Sequence, residues 1–126
     1  MAIPDDLRYS PDHEWAARRG TRVRIGITDY AQRALGDIVF VQLPAVGSVV
    51  VAGDPMSEVE SAKSVSDVFA ALSGTVVEVN EHLASEPALL NSDPYGRGWI
   101  CEIEPSDLDQ FDRLLDAGDY GTLIDG

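Results

Sequence analysis

The chain has 126 residues, with 22 acidic side chains against nine basic ones and a net charge of −13. That balance argues against a nucleic-acid partner, because binding phosphate requires clustered Lys and Arg, and it favours steering toward basic surfaces on other proteins. No apolar run approaches the ~20 residues that span a bilayer, and the single cysteine, Cys101, leaves no internal disulfide, as in a reducing cytosol. The length suits one domain over residues 1–126, large enough for a real core. Residues 1–6 lack a basic stretch followed by an apolar one, so no secretory signal is expected and the cytoplasm is the expected location.

In chain order, Leu7–Tyr9 and His13–Ala17 are predicted as short edge strands, with a turn at residues 10–12 and another at residues 18–20. Thr21–Ile27 alternates, with Val23, Ile25 and Ile27 on one face and Arg22 and Arg24 on the other. A short helix follows. Thr28 can cap it, Asp29 and Arg33 suit its dipole, and Gly36 can close it in a left-handed conformation. Tyr30, Ala34 and Leu35 form its expected inward face, and Asp37–Leu43 is a strand ended by Pro44. Leu83–Asn91 is expected as a loop with a helical turn near Pro87. Trp99–Glu104 is predicted as a strand with Trp99, Cys101 and Ile103 on one face and Ile100, Glu102 and Glu104 on the other. Ser106 and Asp109 form a capping-box variant that opens a helix carrying Leu108, Phe111 and Leu115, with Gly118 closing it. The count is a mainly β domain with short peripheral helices and a C-terminal helix.

Between these elements lies a duplicated pattern. Gly47–Gly53 and Gly74–Asn80 each read as glycine, a small hydroxyl residue and a β-branched run closed by a turn residue. The midpoint between the two copies falls between positions 63 and 64, which places Lys63 at a hairpin tip between strands at residues 57–61 and 65–69, with Val59, Val65 and Val68 supporting it. Lys63 is the only lysine; the other eight basic residues are arginines. An arginine stays charged, whereas a lysine amine can be acylated, so Lys63 is a chemically unique acceptor. Catalytic lysines need burial or neighbouring cations. Lys63 instead has Glu58, Glu60 and Asp67 around it, which points to a carrier rather than a catalyst.

The segment Glu60–Ser61–Ala62–Lys63–Ser64–Val65–Ser66–Asp67 resembles the lipoyl attachment motif of the glycine cleavage system H proteins. The resemblance runs through Tyr9, His13–Glu14–Trp15, Gly26–Ile27–Thr28, Ala34–Leu35–Gly36–Asp37, Ser73–Gly74, Val77–Glu78–Val79–Asn80, Pro94–Tyr95–Gly96 and Gly98–Trp99. Three positions depart from the family's usual residues: Ala71 where a proline is common, Cys101 where a basic residue is common, and Ala62 where valine is commoner. None removes the acceptor amine. Biotin carriers would place methionine on both sides of the lysine, and the lipoyl domains of 2-oxo acid dehydrogenases are shorter and lack the His13–Trp15 and Gly98–Trp99 segments.

The resemblance implies a flattened two-sheet barrel–sandwich hybrid and lipoate bound as an amide to Lys63. It implies that Glu60, Ser61, Ala62 and Ser64 are read by the attaching enzyme, a lipoate ligase or an octanoyl/lipoyl transferase. It further implies a monomeric, non-enzymatic shuttle of an aminomethyl group between three enzymes. These are the pyridoxal-phosphate glycine decarboxylase (P protein), the tetrahydrofolate-dependent aminomethyltransferase (T protein) and the dihydrolipoyl dehydrogenase (L protein). Glu14 and Asp67 would line a cleft that protects the loaded arm, with Asp12 adding to the negative field. The competing role is storage or donation of lipoyl groups to other carriers.

Other chemistries find little support. His13 and His82 are far apart and lack Cys or Asp at ligand spacing, so no metal site is expected. No nucleophile elbow or phosphate-binding glycine loop is present. Cys101, Trp15 and Trp99 read as packing residues and His82 as a plain loop residue.

Overall fold

Alternation of β-branched and polar residues builds the strands that dominate the structure, a computed structural model in which residues 2–125 are described. The first half runs β1 (Arg8–Tyr9), β2 (Glu14–Arg19), β3 (Arg22–Ile27), α1 (Asp29–Leu35), β4 (Ile38–Gln42), β5 (Val49–Val50) and β6 (Pro55–Ser61). The second half runs β7 (Val65–Phe69), β8 (Gly74–Val79), α2 (His82–Ser85), α3 (Leu89–Ser92), β9 (Cys101–Pro105), α4 (Asp109–Asp112) and α5 (Ala117–Asp125). The strands form two open sheets, antiparallel throughout, in the orders β1-β2-β3-β9-β8-β5 and β4-β6-β7. Val23, Ile25, Val76, Cys101 and Ile103 of the larger sheet pack with Ile38, Val41, Val59 and Val68 of the smaller one. A second cluster of Tyr9, Trp15 and Tyr120 docks α5 against β1, with the two tyrosine rings stacked 4.6 Å apart. No helix among the described residues is long and apolar enough to cross a membrane.

The duplicated segments turn out to be each other's partners. Val49 pairs with Thr75 and Val50 with Gly74, and the Gly47 and Val76 amides donate across to Val76 and Ser48. The copies are unequal, because only Val49–Val50 of the first is regular strand and Val49 is 77% exposed. Within this frame β6 and β7 cross to the smaller sheet and return. Glu60 pairs with Val65 and Val59 with Ser66, which centres the hairpin on Ala62–Lys63.

Several expectations need correction. The expected helix from Ser106 to Gly118 is broken at Leu115, whose amide and carbonyl both bond to Tyr9 at 2.8 Å. The guanidinium of Arg8 also donates to the carbonyls of Asp112 and Leu114. Sheet pairing outweighs helix propensity there, and a new helix starts at Ala117, capped by Asp116, whose carboxylate accepts from the Asp119 amide at 2.8 Å. Gly118 therefore lies inside α5, and the Ser106 hydroxyl bonds to the Ser73 carbonyl instead of capping. Trp99 and Ile100 precede β9, and the Asn80 side-chain amide, rather than a neighbouring strand, bonds the carbonyls of Arg97 and Trp99. Ile100 joins the core, whereas Trp99 lies under Arg24 at 4.2 Å. Residues 83–91 hold two short helices rather than one turn, and His82 opens the first of them. Ala31, not Ala34, packs inward from α1. Val65 does not support the tip; it is 57% exposed.

Candidate functional site

Four residues build the hairpin tip, and Ser61 does most of the shaping. Its hydroxyl oxygen accepts from the amides of Lys63 (3.3 Å) and Ser64 (3.1 Å), and its own amide donates to the Ser64 carbonyl at 2.8 Å. This serine turn satisfies the backbone without a glycine. The Ala62 amide donates to the Asp37 carbonyl (3.0 Å), which ties the tip to the start of β4. Asn91 fixes that start in turn: its oxygen accepts from the Ile38 amide, and its nitrogen donates to the carbonyls of Gly36 and the Gln32 side chain. Lys63 is exposed on this rigid base. Its side chain leans over Gly36, where an added Cβ would lie 3.1 Å from the lysine Cε. Gly36 has φ +80° and ψ −155°, a region essentially closed to other residues, so its backbone requires glycine, whereas the exposed lysine could move aside from an added Cβ.

Beside α1 lies a cleft of about 150 Å³ with mostly apolar walls. Ile27, Leu35, Val59 and Val68 line it, together with Tyr30 from α1 and the segment Asp12–Glu14. Asp67 sits exposed on its rim. Glu14 is only 2% exposed. The Ser10 hydroxyl donates to its carboxylate at 2.5 Å and itself accepts from the amides of Asp12 and Glu14. Burial pushes the Glu14 carboxyl up to about 7; the Ser10 bond opposes the rise and the charge of Asp12 adds to it. His13 stands beside it with φ +72°, stacked on Tyr30 at 4.4 Å and hydrogen-bonded through Nδ1 to the Tyr120 hydroxyl at 2.8 Å. Burial lowers the basicity of His13, with Asp12 opposing.

The structure thus gathers the sequence-predicted residues into two groups, one at the cleft walled by α1 and one at the hairpin tip, where Lys63 leans over Gly36 at the end of that helix. Glu60, Ala62 and Ser64 are exposed around Lys63, whereas Ser61 is buried and acts through the shape of the turn. Ser10 and Asn91 were not singled out from the sequence, and Tyr30 was expected only as an inward-facing helix residue. The serine four residues before Glu14, across a Pro-Asp turn, was a usable signal; Asn91 offered none. Cys101 is fully buried, and burial raises its thiol to about 12, so it is an inert packing group. Among the described residues no cluster of His, Cys, Asp or Glu could hold a metal ion.

Comparison with known proteins agrees with this geometry. The family profile described as glycine cleavage H-protein matches residues 7–125. A glycine cleavage system H protein of Geobacillus thermodenitrificans is 51% identical over 124 residues, covering 98% of both chains. One from Thermus thermophilus is 50% identical over 125 residues, covering 99% of this chain and 98% of its own. The crystal structure of a glycine cleavage system H protein from Mycobacterium marinum superposes with a TM-score of 0.89 at 45% identity, covering 98% of this chain and 100% of that one.

Proposed function

The chain belongs to the glycine cleavage H-protein family, a family of lipoyl carriers, and from that premise we propose that Lys63 bears lipoate and that the protein shuttles an aminomethyl group between the enzymes of glycine cleavage. The observation that carries the reading is the sole lysine, exposed on a braced hairpin beside a mostly apolar cleft with a buried carboxyl. These residues fit the group. Lys63 offers the acceptor amine, the cleft walls suit an alkyl arm, and Glu14 suits a cation at its end. Bound as an amide, lipoate would supply the disulfide that takes up the aminomethyl group and the dithiol that is later reoxidised.

The protein's own residues then have distinct tasks. Ser61, Asp37 and Asn91 hold the tip still, so that one arm presents itself reproducibly to successive partners. Ile27, Leu35, Val59 and Val68 exclude water from the cleft. Glu14, near its midpoint of ionisation when the cleft is empty, ionises as an ammonium group enters and holds it by a charge-assisted hydrogen bond. Asp12 and Asp67 add negative field at the rim. Tethering raises the effective concentration of cargo at the decarboxylase, the aminomethyltransferase and the dihydrolipoyl dehydrogenase.

The test is exchange of labelled carbon dioxide into glycine by the pyridoxal-phosphate decarboxylase. Lipoylated protein should support exchange and unmodified protein should not. Failure of exchange, with transfer of the lipoyl group to other carriers instead, would replace the shuttle by a donor role.

A further inference from the structure

The outer face of the smaller sheet carries more apolar surface beside Lys63 than its solvent position explains. β4 is an edge strand, the kind usually defended by charge. Its register shift between Ile38 and Phe40 leaves Val39 and Phe40 both facing solvent, 53% and 52% exposed. Phe40 lies opposite Glu60, and Glu60 opposite the exposed Val65. A row of apolar, acidic and apolar residues therefore crosses all three strands directly behind the tip. One step further from the tip, Gln42, Glu58 and Asp67 form a polar row in the same register. The large apolar side chains of this face that are more than half exposed lie at the end that holds the lysine, and the far end adds only the Pro55–Phe69 pair, in which Phe69 is half-buried.

We propose that Val39, Phe40 and Val65, with Glu60 between them, dock the enzyme that acylates Lys63, a proposal that rests on the lipoyl-carrier reading above. The occupant follows from reach. Forming an amide at Nζ requires the activated acyl carbon to come within bonding distance of the lysine, so the attaching enzyme must cover the tip and the first row behind it. Enzymes that act on the far end of a flexible arm need not. The occupant's chemistry follows from the row: two apolar sockets flanking a basic side chain that meets Glu60. Register supports the same assignment, because Ala62–Asp37 and Asn91–Ile38 bonds fix the lysine and the Val39–Phe40 ridge to one strand start. Contact with the ridge thus sets where the amine sits.

The experiment compares unmodified wild-type protein with Phe40→Ser, Val65→Ser and Val49→Ser, using a lipoate ligase with ATP and lipoate and following mass gain. Val49 is more exposed than either ridge residue but lies on the other sheet. Phe40→Ser and Val65→Ser should each lower kcat/KM about tenfold, mainly through KM, while Val49→Ser stays near wild type. Reaction of Lys63 with a small activated ester should be equal in all four, which shows that the amine itself is unaltered. Lys63→Arg protein should inhibit acylation of the wild type competitively, and Lys63→Arg combined with Phe40→Ser should inhibit about tenfold more weakly. Equal kcat/KM for wild type and both ridge variants would overturn the proposal. So would a change in sedimentation with Phe40→Ser at unchanged kcat/KM, which would assign the ridge to a second copy of the chain. Absence of any mass gain in the wild type would instead overturn the carrier reading itself.

Discussion

Lys63→Arg should accept no lipoyl group under conditions that modify the wild type completely. The substitution keeps the positive charge and much of the length, so electrostatics at the tip are preserved. What it removes is a nitrogen that can lose a proton and attack an activated acyl carbon. The amide forms between that nitrogen and the carbonyl carbon, the bond from the carbonyl to its activating phosphate or thiol breaks, and the ammonium proton passes to a base. Guanidinium cannot follow this course because it stays protonated. No other side-chain amine exists in the chain to compensate. The fold should survive, since the turn is held by Ser61, Ala62 and Ser64 through groups that the substitution leaves alone. Intact mass and circular dichroism read the two effects separately. Lipoyl incorporation into Lys63→Arg protein of native spectrum would refute the assignment.

Glu14→Gln should speed loss of the aminomethyl group from loaded protein about 30-fold at pH 8, without changing lipoylation. Were Glu14 solvent-exposed, an ion pair there would be worth at most ~1 kcal/mol. Glu14 is buried, and a charge-assisted hydrogen bond in such a place contributes on the order of 2 kcal/mol, which sets the factor. Glutamine keeps the oxygen that accepts from Ser10, so the difference isolates the charge. The ratio of variant to wild-type release should fall toward one as pH drops and Glu14 protonates. Stability provides an independent reading with a definite sign. The folded carboxyl is raised from 4.5 to about 7, so ionisation opposes folding. The wild type is then at no disadvantage below pH 4.5 and loses stability progressively up to about pH 7. The loss is on the order of 3 kcal/mol for a shift of this size. Glutamine should abolish that loss. Parallel unfolding free energies for the two proteins from pH 4 to pH 8, together with equal release rates, would leave Glu14 as a shaping residue only.

Lys63 was legible because uniqueness and position are both sequence properties. One amine among arginines, midway between two similar strands, needs no structure to stand out. Alternation placed β3 and the core faces of Val23 and Ile25 well, since a half-buried strand writes its period directly. The failures have a common cause, which is long-range pairing. Leu115 continues an amphipathic pattern, and only its bridge to Tyr9, over a hundred residues earlier, takes it out of the helix. Ile100, expected on the outer face, is buried instead, next to a Trp99 carbonyl that is taken by the Asn80 side chain rather than by a strand. Val65 fits a supporting role by composition, but its register opposite Glu60 turns it to solvent. The burial of Glu14 is likewise a tertiary property: α1, β6 and β7 must assemble over it before its carboxyl is desolvated.

The central claim is that Lys63 is the point of lipoyl attachment, and the intact mass of protein purified from its own host tests it most directly. A fraction heavier by one lipoyl amide is expected, with fragmentation placing the added mass on the peptide that contains Lys63. Protein of unmodified mass alone, from cells growing on glycine, or an adduct of biotin in place of lipoate, would contradict it.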